Sequence, residues 1–348
     1  MAKSTKTWTP QRPLHALIRV GLLTSCLSVG ASANAALSFT FDYNDNGGTT
    51  EFLGVANQSR RDALETAGTL FSNYFGSLFS NSATITLGVQ GTNQGCAFGC
   101  TLAFAGSGQV LNSPGFGNGE VVRNKLVSGV DTNGSANDGV VGVNWGAPWE
   151  KDPNVSVATQ NTGNFDFYAA LFHEFTHALG FASSLNQAGT DGTSTGAGQG
   201  GVDYAGYWSK FDQFMTDCQG TDLINHGTGL ASGVYADASV SANGKSMCFS
   251  GANALAASGG AAVLLYAPTT YQPGSSGSHL LSAGASTNAM MKYDRDANID
   301  EARTYNAITV GVMTDLGYSA VANAAPEPGS IALVLTALAG LTMRRRKA

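Results

Sequence analysis

The stretch Leu171-Phe172-His173-Glu174-Phe175-Thr176-His177-Ala178-Leu179-Gly180-Phe181 concentrates reactive side chains as no other part of the chain does. It contains an H-E-x-x-H. On a helix, residues four apart share a face, so the imidazoles of His173 and His177 stand about one turn apart and can reach a single metal ion. Glu174 then lies beside the open metal position, placed to take a proton from water there. This is the chemistry of metal-assisted peptide hydrolysis, with Zn2+ as the expected ion. A five-residue pattern also arises by chance in a core helix, so its surroundings matter. Tyr168, Phe172, Phe175 and Leu179 recur at three- and four-residue spacing, with Leu171 and Ala178 beside them, which predicts a helix over 165–182 with a buried stripe. Asn164 is the expected N-cap, Asp166 suits the first turn, and Gly180 provides a stop or a bend.

The chain has 348 residues, and both ends read as address labels. Residues 1–35 carry Lys3, Lys6, Arg12 and Arg19, an apolar run from Val20 to Val29, and Ala33-Asn34-Ala35, which together predict a cleaved export signal. Cys26 is an alternative acylation site, but apolar residues continue past it. Residues 321–348 hold Pro326-Glu327-Pro328-Gly329, an apolar run from Ile331 to Met343, and Arg344-Arg345-Arg346-Lys347. As a helix that run is a candidate transmembrane segment, yet it would span only about 20 Å, short for a permanent one. The basic end would stay on the cytoplasmic side. The tail resembles the PEP-CTERM sorting signal of Gram-negative bacteria. The resemblance implies a transient inner-membrane anchor, an exosortase-type processing enzyme as partner, and delivery to the cell surface or beyond.

Between the labels lie roughly 290 residues, enough for one catalytic domain over 36–320. Charged residues make up 12% and the net charge is −6, with no basic stripe for nucleic acid. Cys96, Cys100, Cys218 and Cys248 are an even set in an exported chain, which favours two disulfides. The economical pairing is Cys96–Cys100 with Cys218–Cys248, one of three possibilities.

Taken in order, Leu37, Phe39 and Phe41 alternate as a strand that ends in Asp42-Tyr43-Asn44-Asp45-Asn46-Gly47, an Asn-Gly turn rather than a calcium loop. Ser59-x-x-Asp62 opens a helix whose apolar face is Leu64, Ala67, Phe71, Tyr74 and Leu78. Strands are expected at 83–89, 100–105 and 139–145. Residues 186–202 read as a surface loop, and a helix is expected from about Val202 to Asp217. The order predicts an α+β fold with an upper lobe at about 36–182 and a glycine-rich lower lobe at about 183–320.

Two histidines leave a catalytic zinc one protein ligand short. Past Glu174 the chain has only Glu301 and Glu327 as glutamates, and the metzincin pattern H-E-x-x-H-x-x-G-x-x-H has Gly180 in place but Ser183 where its last histidine belongs. His226 and His279 remain as histidine candidates, with an aspartate or no third protein ligand as the further alternatives. The chain resembles the leishmanolysin-like group of metzincin-type metallopeptidases. There an insertion separates H-E-x-x-H-A-L-G-F from G-S-H, a methionine turn, and a helix ending D-L-G-aromatic. The counterparts are His173 to Phe181, Gly277-Ser278-His279, Asn288-Ala289-Met290-Met291, and Thr309 to Tyr318.

The resemblance implies a zincin/metzincin-like two-lobed fold and a zinc metallopeptidase acting on a polypeptide substrate. His279 would be the third ligand ahead of His226, and Met291 rather than Met290 the floor beneath the metal. Tyr293, two residues on, would donate a hydrogen bond to the developing oxyanion. Asp294, Asp296, Asn298 and Asp300 offer oxygens to Ca2+, but the glycine and closing glutamate of a calcium loop are missing. The competing expectation is a non-catalytic cell-surface or biofilm-matrix protein with a structural zinc site, which a fourth protein ligand would favour.

Overall fold

The computed structural model describes residues 37–44, 51–79, 81–96, 100–111, 113–154, 163–187, 189, 206–233, 246–286, 288–295, 297 and 301–318. The described residues all belong to one compact unit, Asn34–Ala348. The leader, the sorting tail, and Asp296, Asn298 and Asp300 of the alternating acidic run lie outside the described residues. Among those described, no helix is long and apolar enough to cross a membrane.

The fold is mixed α+β. Strands β1 (Leu37–Asp42), β2 (Ala83–Thr92), β3 (Ala103–Ser107) and β5 (Gly139–Asn144) form a sheet in the order β1-β2-β5-β3. The pairs β1/β2 and β2/β5 are parallel, whereas β3 is antiparallel to β5 and forms one edge. Alternation explains the buried face: Ile85, Leu87 and Val89 from β2 and Val141 and Val143 from β5 are all buried. Phe104 lies directly opposite Gly142, and its ring occupies the space a side chain there would fill. Helix α1 (Gln58–Phe75) lies along β1, close enough that a Cβ on Gly68 would meet the Phe41 ring at 3.0 Å. Helix α2 (Val121–Ser128) follows, after the short strand β4 (Gly115–Phe116).

Short strands β6 (Trp149–Glu150) and β7 (Phe165–Asp166) pair in parallel and lead into α3 (Phe167–Ala178). Phe39 stacks on Phe175 at 4.7 Å, and Phe71 meets Phe172 and Phe175 edge-on, so an aromatic cluster locks α3 to the sheet and α1. Beyond α3 the elements are small. They are β8 (Tyr207–Trp208, beside β4), β9 (Met215–Thr216), the hairpin β10 (Ile224–Asn225) with β11 (Leu230–Ala231), β12 (Cys248–Phe249), α4 (Ala252–Ala257), β13 (Val263–Leu264) and α5 (Ala307–Asp315). Cysteine pairing follows the economical scheme, Cys96–Cys100 and Cys218–Cys248, chemistry that belongs to an oxidising compartment.

Several sequence expectations need correction. Helix α3 starts at Phe167 and is capped by Asp166, whose carboxylate accepts from the N–H groups of Tyr168 and Ala169; Asn164 is not the cap, because Phe165 and Asp166 are still paired with β6. Nor does α3 bury a stripe only: all its residues are buried except Glu174. The described part of the expected 202–217 helix is instead β8, a 3-10 turn at Phe211–Phe214 and β9. There the Asp212 carboxylate draws the N–H groups of Ser184 and Ser209 and three serine hydroxyls, competing with a helical ladder. Helix α1 begins at Gln58 after a 3-10 turn, so Ser59 is inside it, and Tyr74 is 54% exposed. Strand β2 runs on to Thr92, β3 spans 103–107 rather than 100–105, and β5 stops at Asn144, whose side chain ties down the Gln94 N–H and the Thr101 carbonyl.

Asp166 is also held by a bidentate pair from Arg303, with Nε to Oδ2 at 2.6 Å and Nη2 to Oδ1 at 2.8 Å. Replacing it by alanine removes the helix cap and leaves a largely buried guanidinium without its counter-charge. Asp166→Ala should therefore lose about 3–5 kcal/mol in urea unfolding, and Asp166→Asn, which keeps a capping oxygen, clearly less. A loss for the alanine variant below about 1 kcal/mol would contradict this account of the helix start.

Candidate metal centre

His173 and His177 project from α3 one turn apart, and the structure brings His279 to them from 102 residues further along. The Nε2 atoms form a nearly equilateral triangle: His173 to His177 2.9 Å, His173 to His279 3.0 Å, and His177 to His279 3.1 Å. All three rings are buried. Each Nδ1 faces a backbone carbonyl, His173 that of Met290 at 2.6 Å, His177 that of Phe181 at 2.6 Å and His279 that of Ser275 at 3.0 Å. A carbonyl has no proton to give, so each Nδ1 carries the proton and donates, and each Nε2 keeps its lone pair. Three lone pairs then point at one another with no hydrogen between them, which a cation among them would relieve. This buried group can hold a metal ion.

Local structure supplies those carbonyls. Gly180, at φ +101°, ends α3 in a reversing turn in which the Phe181 N–H bonds the Thr176 carbonyl at 3.2 Å, and the turn brings the Phe181 carbonyl back over His177. A Cβ at Gly180 would also lie 3.0 Å from the Glu120 carboxylate. Ser275 lies in a tight turn tied to the Gln272 carbonyl, just ahead of His279. His279 is then stitched in on both sides, its carbonyl accepting from Tyr266 and the next N–H, of Leu280, bonding the Met291 carbonyl at 2.8 Å. Ser183, where the uninterrupted metzincin pattern would have its last histidine, donates its N–H to the Ser278 hydroxyl at 3.1 Å, next to His279. The insertion thus closes on itself at that point.

Glu174 is the one residue of α3 that is not buried, and it lines the open cleft together with Ala170, His173 and His177 of the same helix. Its carboxylate accepts the Ala105 N–H from the edge strand β3, and burial in the cleft wall raises its pKa to about 7 against the lowering pull of Arg295 and that N–H. The cleft has a volume of about 900 Å³ and is bordered by β3, the histidines, the 272–275 turn and Tyr293 to Arg295. Tyr293 lines the cleft mouth, its ring stacked on Tyr266 with centroids 3.6 Å apart. Met290 and Met291 are both fully buried in the turn before it. His226 lies apart from the trio, exposed, bonded to the Gln213 carbonyl at 3.1 Å and edge-on to Phe116. No sequence signal marks the three backbone carbonyls, or Arg295, which donates to the same Met290 oxygen as His173.

Desolvation is the main influence on the rings: it drives His173 well below the ordinary value, His177 to about 3 and His279 to about 4, helped by mutual repulsion and by Arg295. Neutral rings are the form that binds metal. Acid works against the metal-free centre. Stability contributed by these neutral rings is present above the ordinary value of about 6.5 and is lost as pH falls toward the depressed values, since the unfolded chain takes up protons the folded rings refuse. In chelator-treated protein, long-range 1H–15N NMR should show all three rings protonated at Nδ1 alone at pH 7 and still neutral at about pH 5. Rings already charged at about pH 6 would exclude the converging lone pairs.

No family model matches the chain, and no curated protein matches it either.

Proposed function

We propose that the chain is an exported zinc-dependent metalloendopeptidase with a zincin/metzincin-like catalytic domain, as its resemblance to the leishmanolysin-like group implies. The observation that carries this reading is the placement of Glu174. It is the one partly exposed residue of an otherwise buried helix, it lines the cleft, and it shares that lining with three imidazoles whose lone pairs converge. Zinc suits the donors. Nitrogens bonded tetrahedrally at about 2.0–2.1 Å lie about 3.3 Å apart, close to the separations of 2.9 to 3.1 Å between these Nε2 atoms. Among the described residues the metal-holding group has three members, which fits a catalytic site better than a closed structural one.

Zinc held by His173, His177 and His279 would polarise a scissile carbonyl and acidify water at the free position. Glu174, with a pKa of about 7, suits the proton shuttle at neutral pH: it takes the proton from water and returns it to the leaving amine. Among the described residues strand β3 is paired only to β5 and borders the cleft; its outer edge, beside the Ala105 N–H that Glu174 accepts, is a template on which an extended polypeptide can add as a strand. Tyr293, fixed by its stack on Tyr266, is placed in this reading to support the oxyanion. Two disulfides agree with an exported setting, and the tail over 321–348 completes the proposal with transient anchoring at the inner membrane and exosortase-type processing.

The purified chain should contain one zinc and digest casein, and a chelator should abolish the digestion. Glu174→Gln should retain zinc and lose at least about 10³-fold in kcat, because the proton acceptor is gone while the ligands remain. A Glu174→Gln enzyme cleaving at the wild-type rate would remove Glu174 from the mechanism. Casein left intact by zinc-loaded wild type would count against peptidase activity.

A further inference from the structure

Beside the three histidines lies a largely buried cluster of charges that the proposed chemistry does not use, and its Arg295 also lines the cleft. Glu301 accepts from Arg295 Nη1 through Oε2 at 2.7 Å and from Lys292 Nζ through Oε1 at 3.2 Å. The side chains of Arg295, Glu301 and Lys292 are only 10%, 3% and 5% exposed. Arg295 turns its other terminal nitrogen, Nη2, to the Met290 carbonyl, the oxygen that also receives the Nδ1 proton of His173.

A carbonyl oxygen has two lone pairs and can take both donors. We propose that Arg295, braced by Glu301, is a positioning residue for His173: it pins the Met290 carbonyl, and through it the direction of the His173 Nε2 lone pair. The assignment rests on the reading that the three histidines hold a metal ion.

Stability is a poor reason for this cluster. Buried ion pairs roughly break even against apolar residues of the same size. Moreover, Arg295 Nε is buried without a hydrogen-bond partner among the described residues, a desolvation cost that an apolar side chain would not carry. What the guanidinium offers is geometry. Its planar fork holds two donors at a fixed angle, one for Glu301 and one for the carbonyl, which a lysine's single ammonium does not reproduce. The other two orienting carbonyls are secured by their own backbone, Phe181 by the turn at Gly180 and Ser275 by the turn from Gln272. Met290 is the orienting carbonyl that draws a side-chain donor from a buried ion cluster.

Zinc affinity, measured by competition with a chromophoric chelator, and the visible spectrum of the Co2+-substituted protein test the assignment. Arg295→Lys and Glu301→Gln should each weaken zinc binding roughly 10–100-fold and alter the cobalt spectrum. Arg303→Lys, which disturbs an equally buried arginine pair at the start of α3, should lower the unfolding midpoint and leave both readouts at wild-type values. Folded Arg295→Lys and Glu301→Gln proteins with wild-type affinity and spectrum would overturn the assignment. So would failure of both variants to fold even with zinc present, since the cluster would then serve stability. If Arg295→Lys alone does not fold, Glu301→Gln, which keeps size and one acceptor oxygen, decides. A wild-type chain that takes up no zinc overturns the metal reading beneath the assignment, whereas one that binds zinc but cleaves no casein overturns the peptidase reading alone.

Discussion

Three uncharged imidazoles held with their lone pairs about 3 Å apart are the constraint on which the rest of this structure turns. With every Nδ1 proton committed to a backbone carbonyl, nothing inside the triangle screens one lone pair from the next. Left to themselves the rings would rotate apart. Their surroundings forbid it: α3 is packed against the sheet and α1 through Phe39, Phe71, Phe172 and Phe175. A rigid frame around converging donors is what metal sites demand, because ligands that must be gathered on binding bring an entropic penalty.

The frame is economical in how it orients those rings. One carbonyl comes from the turn that ends α3, one from the turn ahead of His279, and one from the methionine-bearing loop, so three separate parts of the chain each secure one ligand. The same turns place small neutral residues, Ser183, Gly274 and Ser275 among them, along the cleft. Charge in the cleft lining is carried instead by Glu174, Asp294 and Arg295, the last paired with the buried Glu301 and through it with Lys292. Desolvation pushes the histidines toward the neutral form and Glu174 toward the protonated one, so both depart from their ordinary values in the directions that suit metal ligation and proton exchange near neutrality.

Much of the centre is legible in the sequence. His173, Glu174 and His177 are fixed relative to one another by helix geometry alone, because four residues make about one turn whatever surrounds them. Strand β1 and the core-facing Leu64, Ala67 and Phe71 of α1 follow from local periodicity in the same way, and the even cysteine set points to two disulfides, whose economical pairing the structure adopts. Local pattern fails where side chains compete with the backbone. Asp212 gathers hydrogen bonds from three serines and turns an apparent helix into short strands, and β6 pairing shifts the start of α3 by two residues.

What the amino-acid order alone established is therefore the chemistry of one helical turn and the class of the fold, since both are set by interactions between near neighbours. Tertiary structure decided the rest. It brought His279 and not His226 to the pair, selected the carbonyls that aim each ring, and set Arg295 on the same oxygen as His173. Those choices depend on contacts spanning roughly a hundred residues, where chain closure and packing, rather than spacing along the sequence, determine which groups meet.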